Sequence, residues 1–403
     1  MANYYYYGIV VAQDYALAAK YYALAAESEH VEAKYYLGLC YQNGYGVKKN
    51  DKKALSLFMK AAELGHPDAQ NTIGMFYLDA ENEKDNFVKA VEWFSKASEQ
   101  GNKESQYQLG NCYFAGVGVD TNYVTAINYY LMAAEQQHDD AQYKLGKCYY
   151  EGKGVDTSYV NAVKWFTEAA QHSNNDAQYL LGSCYYKGQG VEKSYEEAVN
   201  WFRQSAEGGN AQAQNSLGFC YENGQGVEVD VDKAFAWYSK SAESGDAIGQ
   251  CNVAQYYYRG AGVSRDYVKA VEWFSKSAEQ GNVDAQFALA TCYEFGVGVE
   301  QNYVIAANLY RMAAEQGDAE SQCVLGNCYQ NGQGIQQSYE RAAIWFRKAA
   351  EQGHAKAQCL LGYCYQVGQG VDKNLEEAIE WYKKAARQDD AHALGRLREL
   401  GVW

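Results

Sequence analysis

One proline in 403 residues is the sharpest deficit in this chain. Proline removes a backbone donor and breaks helices, so its scarcity excludes proline-rich linkers and fits a nearly all-helical chain. Basic residues are also short: 35 Lys and Arg against 50 Asp and Glu leave a net charge of −15. That balance argues against binding a phosphate backbone or inserting a polybasic patch into a membrane. No apolar run reaches the length of a membrane span. The opening MANYYYYGIVVAQDYALAAK has no basic stretch followed by an apolar signal core, so a cytoplasmic setting is expected. Zinc-type C-x-x-C pairs and the serine-enzyme motif S-x-x-K are both absent. No catalytic residue, cofactor or metal is therefore expected.

What is present is a period. Residues 30–389 divide into ten consecutive units of 36 residues without insertion or deletion. A fixed period of this size is the mark of a solenoid, in which each unit buries its apolar face against its neighbours. Hydrophobic residues at 48% are enough for a continuous core. The expected architecture is all-α, a solenoid of ten helix-turn-helix repeats. Residues 1–29 form a partial N-terminal repeat, and residues 390–403 a C-terminal capping half-repeat.

Within a unit, the first helix carries a stripe at spacings 4, 3 and 1, as in Ala177, Leu181, Cys184 and Tyr185. The glycine after the leucine (Gly38, Gly110, Gly182, Gly326) lies at the edge of that stripe, where a missing Cβ permits close approach. A G-x-G turn follows, as in Gly188-Gln189-Gly190, allowing positive φ and a short reversal. Next comes Asn, Ser or Asp in every unit (Asn50, Asn86, Asn122, Ser158, Ser194, Asp230, Asp266, Asn302, Ser338, Asn374), read as the N-cap of the second helix. That helix places alanine four residues after the cap and an aromatic pair, such as Trp201-Phe202, three and four residues later. Most units close on glycine, followed by a cap for the next first helix.

Cysteine and histidine are read against this frame. Eight of the eleven cysteines share one repeat position, from Cys40 to Cys364. Equivalent helices stand about 8–10 Å apart, whereas a disulfide needs Cα atoms within about 7 Å, so the ladder is expected to stay reduced and buried. His30, His66, His138 and His354 all fall at the inter-repeat cap, which predicts capping or solvation rather than acid–base chemistry. The G-x-G turns follow helices and lack a third glycine, which disfavours nucleotide binding.

The layout A-x-A-Q-x-x-L-G-x-x-Y-x-x-G-x-G-V followed by K-A-x-x-W-Y-x-K-A-A-x-x-G resembles the Sel-one-like repeat, a branch of the tetratricopeptide-type α-solenoids. The resemblance implies a right-handed superhelix of paired antiparallel helices serving as adaptor or scaffold, with first helices lining the concave side. A secreted branch of that family carries a disulfide in each repeat. This chain has Ala62, Ser98 and Ala134 at the second-helix position of that bridge.

On the arc of the first helix opposite the core stripe, aromatics recur from unit to unit. One line holds Tyr35, Tyr107, Tyr143, Tyr179 and Phe287. A second holds Phe114, Tyr150, Tyr186 and Tyr258, and a third includes Leu39, Met75, Phe219 and Tyr363. Clustered exposed aromatics suit a binding face, though part of the first two lines can equally pack between neighbouring repeats. The expected function is a non-enzymatic scaffold binding a protein or peptide along this tyrosine-rich face. Carbohydrate binding is the alternative, and a β-lactam-active enzyme a distant third. No nucleic acid partner is expected, and the chain is expected to be monomeric apart from contacts at its uncapped N-terminal end.

Irregular units predict irregular geometry. Ala80 and Asn82 replace both turn glycines of one unit, predicting a different and more mobile turn. Ala254 and Ala290 replace the first-helix glycine, predicting wider crossings over residues 250–295. Fraying is expected over residues 1–12. At the far end, Arg396 and Arg398 are expected in water.

Overall fold

The computed structural model describes residues 1–80 and 84–402. Among these residues the chain forms 23 α-helices and no strand. It divides into two compact units, residues 1–201 and 202–403. In the first, helices such as Lys103–Ala115 and Asp139–Glu151 alternate with second helices such as Tyr123–Glu135 and Tyr159–Gln171. In the second, first helices Ala247–Arg259, Val283–Phe295 and Ala319–Asn331 alternate with Tyr267–Glu279, Tyr303–Glu315 and Tyr339–Glu351.

The repeat begins and ends where local chemistry dictates. At Asn122 the side-chain oxygen accepts the N–H of Thr125, and at Ser338 that of Arg341, each satisfying a donor the helix leaves orphaned. First helices close on a glycine in the left-handed region, Gly116 at φ 73° and Gly296 at φ 68°. The inter-repeat histidines cap through the ring: Nδ1 of His66, His138 and His354 accepts the N–H three residues on.

Asn86 breaks the pattern. It lies inside the helix Lys84–Glu99, which starts two residues earlier and runs 16 residues instead of the usual 13. With no turn glycine to fix the entry, the start of this second helix extends past the cap position. Ala80 follows the preceding helix in extended rather than left-handed backbone, φ −67° and ψ 139°, so the different turn is real at that residue. Asn82 lies outside the described residues.

Small residues hold the layers together. The alanine four residues after the cap is buried in all ten second helices, among them Ala54, Ala162, Ala270 and Ala342. Four residues later, a buried aromatic such as Phe58, Phe166, Tyr238 or Phe346 runs beneath the first-helix glycine. A Cβ at Gly38 would stand 2.6 Å from Phe58, and one at Gly218 2.8 Å from Tyr238. Ala254 and Ala290 carry that extra methyl and are still buried, packed in the same clusters as Phe274 and Tyr310 respectively. The second glycine of the turn meets the neighbouring repeat: a Cβ at Gly262 would lie 2.9 Å from the Val231 carbonyl.

A buried glutamine threads the repeats. Gln286 Nε2 donates to the Ala278 carbonyl at 3.2 Å, while its Oε1 accepts from Gln316 Nε2 at 3.0 Å. Gln250, Gln322 and Gln358 repeat the arrangement in the second unit, and Gln70 and Gln106 in the first. Each amide thereby joins three helices. All eleven cysteines are free and ten are buried; burial pushes the Cys112, Cys148 and Cys292 thiols up to about 11, where they are poor nucleophiles.

At the C-terminal helix Ala391–Glu399, Arg398 is exposed as expected. Arg396 is not simply solvated. It is half-buried, donates to Glu399 at 3.0 Å, and lies 5.6 Å from the centre of the Tyr363 ring. The guanidinium thus faces the Tyr363 ring while it keeps its carboxylate partner.

Candidate functional site

The predicted aromatics fall into distinct surroundings. On the first line, Tyr107 lies flat on His138 with centroids 4.6 Å apart, and Tyr143 tilts against Phe166 at 6.4 Å. Tyr35 stacks on His66 in the same way, at 4.4 Å. Phe287 meets Tyr310 edge-on at 5.5 Å, and Tyr179 is half-buried. Tyr35, Tyr107, Tyr143 and Phe287 therefore bridge the first helix to its own second helix or to the next cap.

On the second line every ring meets the first residue of its own second helix. Phe114 meets Tyr123 at 5.2 Å, Tyr150 meets Tyr159 at 5.3 Å, Tyr186 meets Tyr195 at 5.2 Å and Tyr258 meets Tyr267 at 5.1 Å. All four are half-buried. What covers these pairs is set by the middle residue of the next turn, 39 positions on. Lys153 places its ammonium 4.5 Å from the Phe114 ring and 5.0 Å from Tyr123. The Tyr150 hydroxyl donates to Gln189 at 2.9 Å. At the same position opposite Tyr258 stands Val297, which offers neither charge nor hydrogen bond.

On the third line Phe219 is 42% exposed, and Tyr363 lies under Arg396 beside Cys359 and Asp390 in a cavity of about 360 Å³. Met75 lines another of about 490 Å³ in the first unit.

The second unit brings two predicted residues into one cavity. Tyr258 and Phe287, with Phe274, Val283 and Ala288, form the apolar lining of a space of about 500 Å³ that spans three successive first helices. Its polar wall comes from Gln255, Arg259, Thr291, Asp284, Asp318 and Glu320. Ala288 gives the lining a small side chain where Gln108, Lys144, Leu180 and Leu360 are larger, Ser216 being the other small residue at this position. Thr291 is held by hydrogen bonds to the Phe287 carbonyl at 3.0 Å and the Tyr310 hydroxyl at 3.2 Å. Glu320 accepts from His354 Nε2 at 2.8 Å, and Asp318 caps Ser321 at 2.7 Å. Burial beside Cys292 and Tyr267 raises the Tyr258 hydroxyl above its ordinary pKa, so it stays protonated.

Reading the aromatics alone missed Arg259, Asp284 and Glu320. The signal was there: the first turn of the first helix repeatedly carries an acid, as at Glu32, Asp68, Glu104, Asp284 and Glu320. Among the described residues, no group of three or more His, Cys, Asp or Glu is arranged to hold a metal. No helix among them is long and apolar enough to cross a membrane.

Caps, glycines and paired helices recurring in register define a helical repeat solenoid. Eleven consecutive segments match the Sel1 repeat model: residues 1–30, 31–66, 67–102, 103–138, 139–174, 175–210, 211–246, 247–282, 283–318, 319–354 and 355–390. The chain belongs to the Sel1 repeat family. Such proteins are commonly non-catalytic scaffolds for protein interaction. Among solved structures, the chain is similar to c5321, described as a protective antigen of uropathogenic Escherichia coli strains displaying an SLR fold. The two share 36% identity over 99% of this chain and 85% of that one, with a TM-score of 0.84. A Sel1 repeat protein from Oxalobacter formigenes is 29% identical over 81% of this chain and 93% of its own, with a TM-score of 0.58. Among curated proteins none matches the chain.

Proposed function

We propose that the chain is a non-catalytic scaffold whose first-helix face binds a peptide segment of another protein. The observation that carries this reading is the cavity of about 500 Å³ on that face, walled by Tyr258 and Phe287 from successive first helices. Rigid aromatic walls flanked by polar groups are the usual makeup of an energetic anchor site. The framework beneath supports it, because Ala270 and Phe274 are buried and fix the floor. Within the first unit, the second-line rings Phe114 and Tyr150 are instead engaged by their own chain, through Lys153 and Gln189.

The test is selection of displayed peptides on the full chain, followed by affinity measurement with Tyr258→Ala and Phe287→Ala. Each substitution is expected to weaken the selected peptides by about tenfold, the loss of one anchor contact. Val268→Asp, at an exposed second-helix position (58%), is expected to leave them unchanged. Equal binding by all four proteins would place the interaction on another face and overturn the reading.

A further inference from the structure

We infer that the cavity between the helices Ala247–Arg259, Val283–Phe295 and Ala319–Asn331 takes the side chain of a lysine or arginine of the bound peptide. The inference rests on the peptide-binding reading and names the chemistry of its anchor. Three observations carry it.

The first is charge. Three carboxylates, from Asp284, Asp318 and Glu320, line the cavity against one cation, Arg259. Asp284 is exposed in the first turn of its helix, while Glu320 and Asp318 each keep one oxygen engaged with His354 and Ser321. The chain as a whole carries −15, so a basic ligand is also favoured during approach.

The second is shape. Tyr258, Phe287 and Ala288 give the cavity an apolar lining, and the carboxylates stand on its polar wall. A long aliphatic stem with a charged head is built to satisfy both parts at once. A purely apolar side chain would leave the acids unanswered, and an acidic one would meet like charge.

The third is internal precedent. In the first unit the equivalent aromatic pair, Phe114 and Tyr123, already holds an ammonium, that of Lys153 at 4.5 and 5.0 Å from the two ring centres. Those distances are within the range of cation–π attraction. In the second unit Val297 stands in place of that lysine, and the cation near the pair Tyr258–Tyr267 is the Arg265 guanidinium, 6.0 Å from the centre of the Tyr267 ring. The chain thus uses this aromatic geometry for a cation in one repeat and presents it beside a cluster of carboxylates in another.

The test uses fluorescein-labelled nonapeptide mixtures with one fixed central residue, titrated into the full chain at low and high salt. Lysine- and arginine-fixed mixtures are expected to bind about tenfold tighter than norleucine- or glutamate-fixed ones at low salt, a preference that shrinks as salt screens it. The double variant Asp284→Asn, Glu320→Gln is expected to erase the preference, bringing lysine- and arginine-fixed binding down to the level of the norleucine-fixed mixture. If all mixtures bind equally and Phe287→Ala weakens them all, the peptide reading stands and the basic anchor falls. If no mixture binds, or binding ignores Phe287→Ala, both fall. The salt dependence of the unmodified chain decides the matter even if a variant fails to fold.

Discussion

The same aromatic pair recurs in both units, and two copies of it, Phe114–Tyr123 in the first and Tyr258–Tyr267 in the second, meet different surroundings. In the first, Lys153 from the following turn sits over both rings. In the second, Val297 stands at that sequence position, and Tyr258 lines a cavity together with Phe287 and Ala288. The framework under the cavity has the more regular turns, although Ser321 Oγ within it is buried without a hydrogen-bond partner. The inter-repeat turns around it use glycine at positive φ at 245, 281 and 317, and the glutamine chain runs unbroken from Gln250 to Gln358. The first unit has the filled pair and the flawed frame: Gln137 and Ser173 hold positive φ without being glycine, and Gln142 Oε1 is buried without a hydrogen-bond partner. A binding site in a solenoid therefore needs no new fold, only small or apolar substitutions on an otherwise intact frame.

The largest expected effect comes from making the second copy resemble the first. Val297→Lys supplies an internal ammonium at the position Lys153 occupies, and is expected to abolish the preference for lysine- and arginine-fixed peptides. That is a loss of about tenfold, or about 1.4 kcal/mol. Unchanged preference in this variant would mean that the turn residue does not govern the pair, and the comparison would fail.

The flawed frame offers the next test. In the two preceding repeats the residue 30 positions after the buried glutamine is itself glutamine and donates to it, as Gln136 does to Gln106 at 2.7 Å. After Gln142 that position is His172, which instead contacts Asp139 at 2.7 Å on the surface. His172→Gln is expected to satisfy the orphaned oxygen and raise stability by about 1 kcal/mol, since the exposed pair it gives up is worth little. A lower melting temperature would show that the His172–Asp139 contact matters more than the buried amide.

Which of these features the sequence revealed depends on how many chain segments each requires. Caps such as Asn122 and Asp266, and turn glycines such as Gly188, are decided within a few residues, and they could be read directly. Asn86 misled because its cap residue type survived while the turn glycines beside it did not. The second glycine of the turn looked purely local, yet Gly262 also answers to a carbonyl of the preceding repeat, and Gln286 joins groups 8 and 30 residues away. The aromatic lines were legible as a face but not by partner. Nothing near Tyr258 in the sequence points to Val297, 39 residues on, at the position from which Lys153 reaches the Phe114 ring.

A smaller effect is expected at Gln137, whose φ of 59° lies where glycine is at ease. At the matching turns, Gly65 and Gly101 have nothing within 4 Å of where a Cβ would be, so only backbone strain distinguishes the residues. Gln137→Gly is expected to stabilise the chain by up to about 1 kcal/mol, the relieved strain being partly offset by the greater freedom of glycine when unfolded. A fall in melting temperature would mean that the side chain makes up for its strain.

The smallest effect concerns protons, and it belongs to the first unit. Burial lowers the pKa of His66 below the ordinary histidine value, with Asp68 and Glu32 opposing only in part. The geometry agrees with the direction: Nδ1 accepts the N–H of Ala69 at 3.3 Å, and the ring stacks on Tyr35 at 4.4 Å. A proton on Nδ1 would end the cap. As pH falls, the unfolded chain takes up its proton first, so the stability held by His66 is complete above about 6.5 and is lost on descending through the lower folded value. Asparagine caps the equivalent helix at Asn102 and Asn282 through an oxygen that does not titrate in this range. His66→Asn should therefore lose less melting temperature between pH 7.5 and pH 5 than the unmodified chain, with little difference between the two proteins at the upper pH. Parallel losses in both would assign the acid sensitivity to other groups and leave His66 as a cap whose protonation is immaterial.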